Sequence, residues 1–184
     1  MSRPLLFWAI VERAIVPASI FTFPNPVNEK AARTVAFVVM LLAALTLATS
    51  AYWLLIVLAY GFIARVLTGP TLSPLGRLAS SVIAPHLGAE KPVPGPPKRF
   101  AQGIGATLTT VAAIAAIGFN ADGVADVLLA ILIIAAGLES IFALCVGCRV
   151  FTLLMRAGVI PESVCAECAD ISARARPSGS ASRL

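Results

Sequence analysis

Two CxxC pairs, Cys145-Val146-Gly147-Cys148 and Cys165-Ala166-Glu167-Cys168, hold all four cysteines of the chain. A thiolate is both a nucleophile and a metal ligand, so the pattern admits more than one chemistry. Each pair is a dithiol able to exchange with a partner disulfide. The four together, spaced C-x2-C-x16-C-x2-C, also fall within the range of structural Zn2+ sites. A third reading makes them small buried hydrophobes, although two pairs of equal spacing argue against it. Arg149 follows Cys145 by four residues, and on a helix its guanidinium would favour the thiolate. Redox exchange through Cys145, Cys148, Cys165 and Cys168, aided by Arg149, is the leading reading. A membrane scaffold with a zinc-stapled tail is the alternative, and a small-solute transporter is third.

The elements that position these thiols are written in the hydropathy. The chain has 184 residues, 59% hydrophobic and only 12% charged, with a mean hydropathy of +0.92. A chain this short cannot bury so much apolar surface in a water-soluble core, so lipid is the expected solvent. Four segments are apolar enough to span a bilayer: about residues 31–48, 51–67, 100–119 and 124–146, the last continuing as helix to Met155. The expected fold is an all-α bundle of four transmembrane helices with a short N-terminal interfacial helix and a C-terminal helical hairpin. Residues 1–22 are read as the interfacial segment, with Phe7 and Trp8 at headgroup depth. A cleavable signal is the other reading of that stretch, but Glu12 and Arg13 interrupt its apolar run early. Residues 68–99 form a Pro- and Gly-rich loop in which "PVPGPP" reads as extended backbone and "SPLGRLASSVIAPHLG" as a short surface helix. Residues 158–172 carry the second cysteine pair, and 173–184 read as a disordered tail.

Turn signals divide the spans. Asn25-Pro26 reads as a helix start. Ser50 and Asn120-Ala121-Asp122-Gly123 read as tight turns, Gly158 as a helix stop and Pro161 as the start of a further helix. All fourteen Lys and Arg lie before or at the start of the first span, between the end of the second span and the start of the third, or in the C-terminal part. The short turns carry none. The positive-inside rule then places both termini and the middle loop in the cytoplasm. Thiols there are kept reduced, so a structural disulfide is not expected.

Inside the spans, Arg65 and Glu139 stand at matching depth and are expected to pair as a salt bridge between the second and fourth helices. Helix-to-helix attachment is its simplest role, and a proton or ion path is the functional alternative. Snorkelling of Arg65 beside a protonated Glu139 is a third reading. The one histidine, His86, reads as a solvated loop side chain. Gln102, Thr107, Thr109 and Thr110 are the polar groups a transport path would use. Gly103 and Gly105 read as close-packing positions. No Ser-His-Asp set, phosphate loop or dinucleotide fingerprint is present. The basic residues are not interleaved with aromatics, so no nucleic acid is implied. The sequence leaves open whether the chain is an enzyme, and its oligomeric state.

Several strings occur together in order: "FPNPVNEKAAR" (residues 23–33), "GPTLSPLGRLA" (69–79), "KPVPGPPKRFAQGIGA" (91–106) and the ending with two CxxC pairs. With these the chain, over roughly residues 22–170, resembles a bacterial membrane family known as domain of unknown function 4395. The resemblance implies a multi-pass protein of the bacterial inner membrane and carries over no activity, cofactor or site residue. The expected partners are therefore the bilayer and, on the redox reading, a cytosolic thioredoxin-like or sulfurtransferase protein.

Overall fold

The computed structural model describes residues 23–161 and 164–165. The expected interfacial segment over residues 1–22, Cys168 and the tail over 173–184 lie outside the described residues. The described chain is helical apart from one short antiparallel strand pair. In order it forms β1 (Val27–Asn28), α1 (Glu29–Thr49), α2 (Leu54–Thr68), α3 (Pro74–Leu78), a π-helical turn (Ala79–Ile83), α4 (Ala84–His86) and β2 (Pro92–Val93). There follow α5 (Gly95–Ala113), a second π-helical turn (Ile114–Gly118), α6 (Asp122–Phe142) and α7 (Val146–Arg156).

Each helix buries one stripe. In α1 the buried positions include Ala31, Val35, Val39, Ala43 and Thr46, spaced to fall on one face. That face meets α6 at Leu129, Leu132 and Ala136, and α2 lies chiefly against α5. The approach of α2 to α5 depends on Gly105: a Cβ there would collide with the Phe62 ring. The outward faces stay apolar, with Phe37, Leu41 and Leu45 exposed on α1, Ile56 and Ile63 on α2, and Ile131 and Ile134 on α6. In water this surface would be costly, whereas in hydrocarbon it is not.

Among the described residues, three helical segments are long and apolar enough to cross a membrane: Glu29–Thr49, Gly95–Gly118 and Asp122–Phe142. The fourth apolar helix, α2, has 15 residues and rises only about 22 Å. It begins three residues later than the sequence suggests because Ser50, at φ 54°, turns the chain before Tyr52 and Trp53.

Two other boundaries differ from expectation. The cap of α1 is Asn28, whose side chain accepts from the Lys30 N–H at 3.0 Å. Asn25 instead reaches across and accepts from the Gly95 N–H at 2.8 Å, satisfying the first turn of α5. That helix starts at Gly95 rather than near Phe100, so the extended part of "PVPGPP" is Pro92–Val93 and the cap residue Pro94 (φ −57°, ψ 134°). Pro96 and Pro97 fall in the first turn, where no intrahelical N–H is needed. The strand pair (Val27↔Val93, Asn28↔Pro92) and the Glu29 N–H donating to Lys91 O at 2.9 Å hold the starts of α1 and α5 together. The surface helix expected in the middle loop is present as α3, the π turn and α4, with His86 exposed at its end.

Candidate functional site: a disulfide at a helix start

The last apolar stretch is not one helix. α6 stops at Phe142, Ala143 turns left-handed at φ 56°, and α7 starts afresh at Val146. No glycine or proline marks this break, so the periodicity reads through it. The stop is made by tertiary contacts. Arg33, from the first turns of α1, donates to Ser140 O at 3.1 and 2.9 Å and to Ile141 O at 3.1 Å. The Leu144 N–H closes on Leu138 O at 3.0 Å. Carbonyls left without partners at a helix end are thereby satisfied.

Cys145 is therefore the N-cap of α7 rather than a mid-helix residue. Its backbone is extended (φ −78°, ψ 103°), and its Sγ accepts from the Cys148 N–H at 3.3 Å. The two cysteines form a disulfide with Cα atoms 5.2 Å apart. The expectation of reduced thiols is thus not what the structure holds. Cys145 is 9% exposed and Cys148 is half-buried. Gly147 between them lets α7 touch α5: a Cβ there would come within 2.5 Å of the Ala101 methyl. Further along the same face α7 lays Phe151 and Met155 against Phe100, the Phe100 and Phe151 ring centroids being 5.6 Å apart.

Cys165 packs with Phe151 and Met155, well down α7 from the first pair. It is not a free thiol either. Among the described residues no three metal-ligating side chains converge, so Cys145, Cys148 and Cys165 are not gathered at one point. The fourth cysteine of the zinc reading, Cys168, lies outside the described residues.

The charges around the disulfide are arranged differently from the sequence reading. Arg65 and Glu139 do not form the expected ion pair. Glu139 is bound by Lys98, with Nζ 2.5 Å from Oε1. Arg65, 6% exposed, donates from Nε to Gln102 Oε1 at 2.8 Å and from Nη1 to Ser73 Oγ at 3.3 Å. Its guanidinium lies 4.6 Å from the Phe62 ring centroid, and Nη2 is buried without a hydrogen-bond partner. Lys98 and Gln102 are one turn apart on α5 and stand between the two helices that carry Arg65 and Glu139. The start of α5 at Gly95 brings Lys98 into the bundle. The signal that could have revealed this was Pro at the first helical positions together with the i, i+4 spacing of Lys98 and Gln102.

An open cleft of about 610 Å³ lies beside the disulfide. Cys145, Cys148, Arg149, Thr152 and Arg156 line it from α7, and Glu29 and Lys98 from the facing helices. Arg149 thus shares a cleft with both cysteines. Inside the bundle a smaller cavity of about 150 Å³ touches Glu139, Gln102 and Cys145. The polar groups considered for transport are largely consumed: Thr107 and Thr109 donate to carbonyls of their own helix, and Gln102 binds Arg65.

The sequence profile of the family described as Domain of unknown function (DUF4395) matches residues 27–156, from β1 to the end of α7. The chain belongs to that family. The DUF4395 match includes Cys145, Cys148, Arg149, Lys98 and Glu139 and ends before Cys165. No curated protein and no solved structure matches the chain.

Proposed function

We propose that the chain is a membrane-embedded thiol–disulfide exchange component whose working group is Cys145–Cys148. The observation that carries this reading is the position of the pair at the start of α7. Helix N-termini and CxxC spacing both lower thiol pKa. Cys145 Sγ, accepting from the Cys148 N–H, is the sulfur best placed to exist as thiolate. Cys148 is the more accessible sulfur. An incoming thiolate attacks Cys148 Sγ, the S–S bond breaks, and Cys145 leaves as the stabilised thiolate. Leaving groups of lower pKa depart faster. A second thiol of the partner then attacks its own sulfur in the mixed disulfide and frees Cys148. The partner leaves oxidised, and the protein keeps two electrons and two protons as a dithiol.

The bilayer placement that suits this reading is a four-helix bundle of α1, α2, α5 and α6 in the bacterial inner membrane. Both termini, the α3–α4 segment and the disulfide then lie on the cytoplasmic side, as the distribution of Lys and Arg supports. The Cys165 pair extends the relay toward a cytosolic thioredoxin-like or sulfurtransferase protein. The test is capture. Cys145→Ser leaves Cys148 as a lone thiol that attacks the disulfide of the oxidised partner, the reverse of the same exchange. With no Cys145 to resolve it, a mixed disulfide with a CxxC-bearing cytosolic protein accumulates, read by non-reducing gels and mass spectrometry. An identical adduct from the Cys145→Ser/Cys148→Ser double variant, or no adduct from either single variant, defeats the reading.

A further inference from the structure

The cleft beside the disulfide carries an unbalanced charge. Glu29 is paired with Lys91 at 2.8 Å, and Glu139 with Lys98. Arg149 and Arg156 are exposed, and among the described residues neither has an ion-pair partner. They are seven residues apart on α7, about 10 Å along the axis, and they line the cleft together with Cys145 and Cys148. The volume of about 610 Å³ suits a small-molecule ligand rather than a flat protein contact. From these observations we infer that the cleft admits a low-molecular-weight peptide thiol bearing carboxylates as the reductant of Cys145–Cys148.

This inference rests on the exchange reading and names its substrate class. The carboxylates sit on Arg149 and Arg156, which hold the thiol end over Cys148. One thiolate attacks Cys148 Sγ and displaces the Cys145 thiolate. A second molecule attacks the bound one at its sulfur, giving the oxidised dimer and releasing the Cys148 thiolate. The two protons given up by the small thiols end on Cys145 and Cys148.

The experiment uses the full chain in nanodiscs of zwitterionic lipid. Loss of the disulfide is followed by acid quench, alkylation and mass spectrometry. The probes are glutathione (anionic), 2-mercaptoethanol (neutral) and cysteamine (cationic), each rate divided by that of the same thiol on a small neutral disulfide. At low salt the normalised preference for glutathione over cysteamine is expected to be about tenfold or more, with 2-mercaptoethanol between them. It should fall toward one at about 1 M salt, where the screening length is about 3 Å, and in Arg149→Gln/Arg156→Gln. A normalised ratio near one in the unaltered protein overturns the inference, and so does a preference that survives both substitutions. Dithiothreitol separates the two levels. If this neutral dithiol also fails to open the disulfide, the exchange reading itself falls; if it opens it while the ratio stays near one, only the anionic substrate is wrong.

Discussion

Lys98 Nζ meets Glu139 Oε1 at 2.5 Å, joining the first turn of α5 to the last turns of α6. Both side chains are largely withdrawn from solvent, at 9% and 15% exposure. Removing one partner from such a pair leaves an uncompensated charge, which costs more than the pair contributes in net terms. Lys98→Met alone is expected to destabilise the protein by about 3 kcal/mol. Lys98→Met/Glu139→Leu should recover most of that loss. Thermal unfolding in detergent, monitored by circular dichroism, checks the order. A double variant no more stable than the single one would mean the pair itself holds the helices together.

The two glycines of "GIG" should answer substitution differently. Gly105 faces the Phe62 ring with no room for a Cβ, whereas Gly103 has nothing within 4 Å. Gly105→Ala forces α2 and α5 apart and is expected to cost about 1–3 kcal/mol. Gly103→Ala removes only backbone freedom and should be neutral or stabilising by about 0.5 kcal/mol or more. Parallel melting curves decide. Equal effects would show that α2 and α5 do not approach at Gly105.

The cap of α7 can be separated from its redox chemistry. Cys145 Sγ accepts from the Cys148 N–H. Serine is a strong N-cap and alanine is not, the difference being about 1 kcal/mol. Reduced wild type and Cys145→Ser are therefore expected to melt together, with Cys145→Ala lower. Both variants should lose exchange equally. An alanine variant as stable as the serine one would remove Cys145 from the cap.

At the opposite end of the bundle, the Tyr52 hydroxyl donates to Asp126 Oδ1 at 3.0 Å. The Tyr52 pKa is raised above its ordinary 10.0, first by partial burial, then by the Asp126 hydrogen bond and the negative charges of Asp122 and Asp126. The sign follows from the proton the phenol must keep to donate. The stabilisation is complete below the unfolded-state value and is lost as pH rises through the folded one. Wild type should therefore lose stability above about pH 10, and Tyr52→Phe should lose less over that interval. Melting temperatures taken from pH 8 to 11 test this; parallel curves for the two proteins would exclude Tyr52 as the group responsible.

Hydropathy alone was enough to mark the apolar segments and to separate them at Ser50 and Asn120. Periods and turns are local, and burial of an apolar stripe needs no knowledge of its partner. The same is true of the CxxC spacing, which sets the chemistry available to the sulfurs. Local pattern could not place the end of α6, because Arg33, more than a hundred residues earlier, supplies the donors that stop it. Nor could it choose Gln102 over Glu139 as the partner of Arg65, or Lys98 over Arg65 as the partner of Glu139. Matching depth is necessary for a salt bridge but not sufficient, and the helix standing between takes both charges. Tertiary packing thus turned Cys145 from a residue inside a helix into the cap of a new one. A sulfur at that position is held by a backbone N–H, whereas one in mid-helix finds every nearby N–H already bonded.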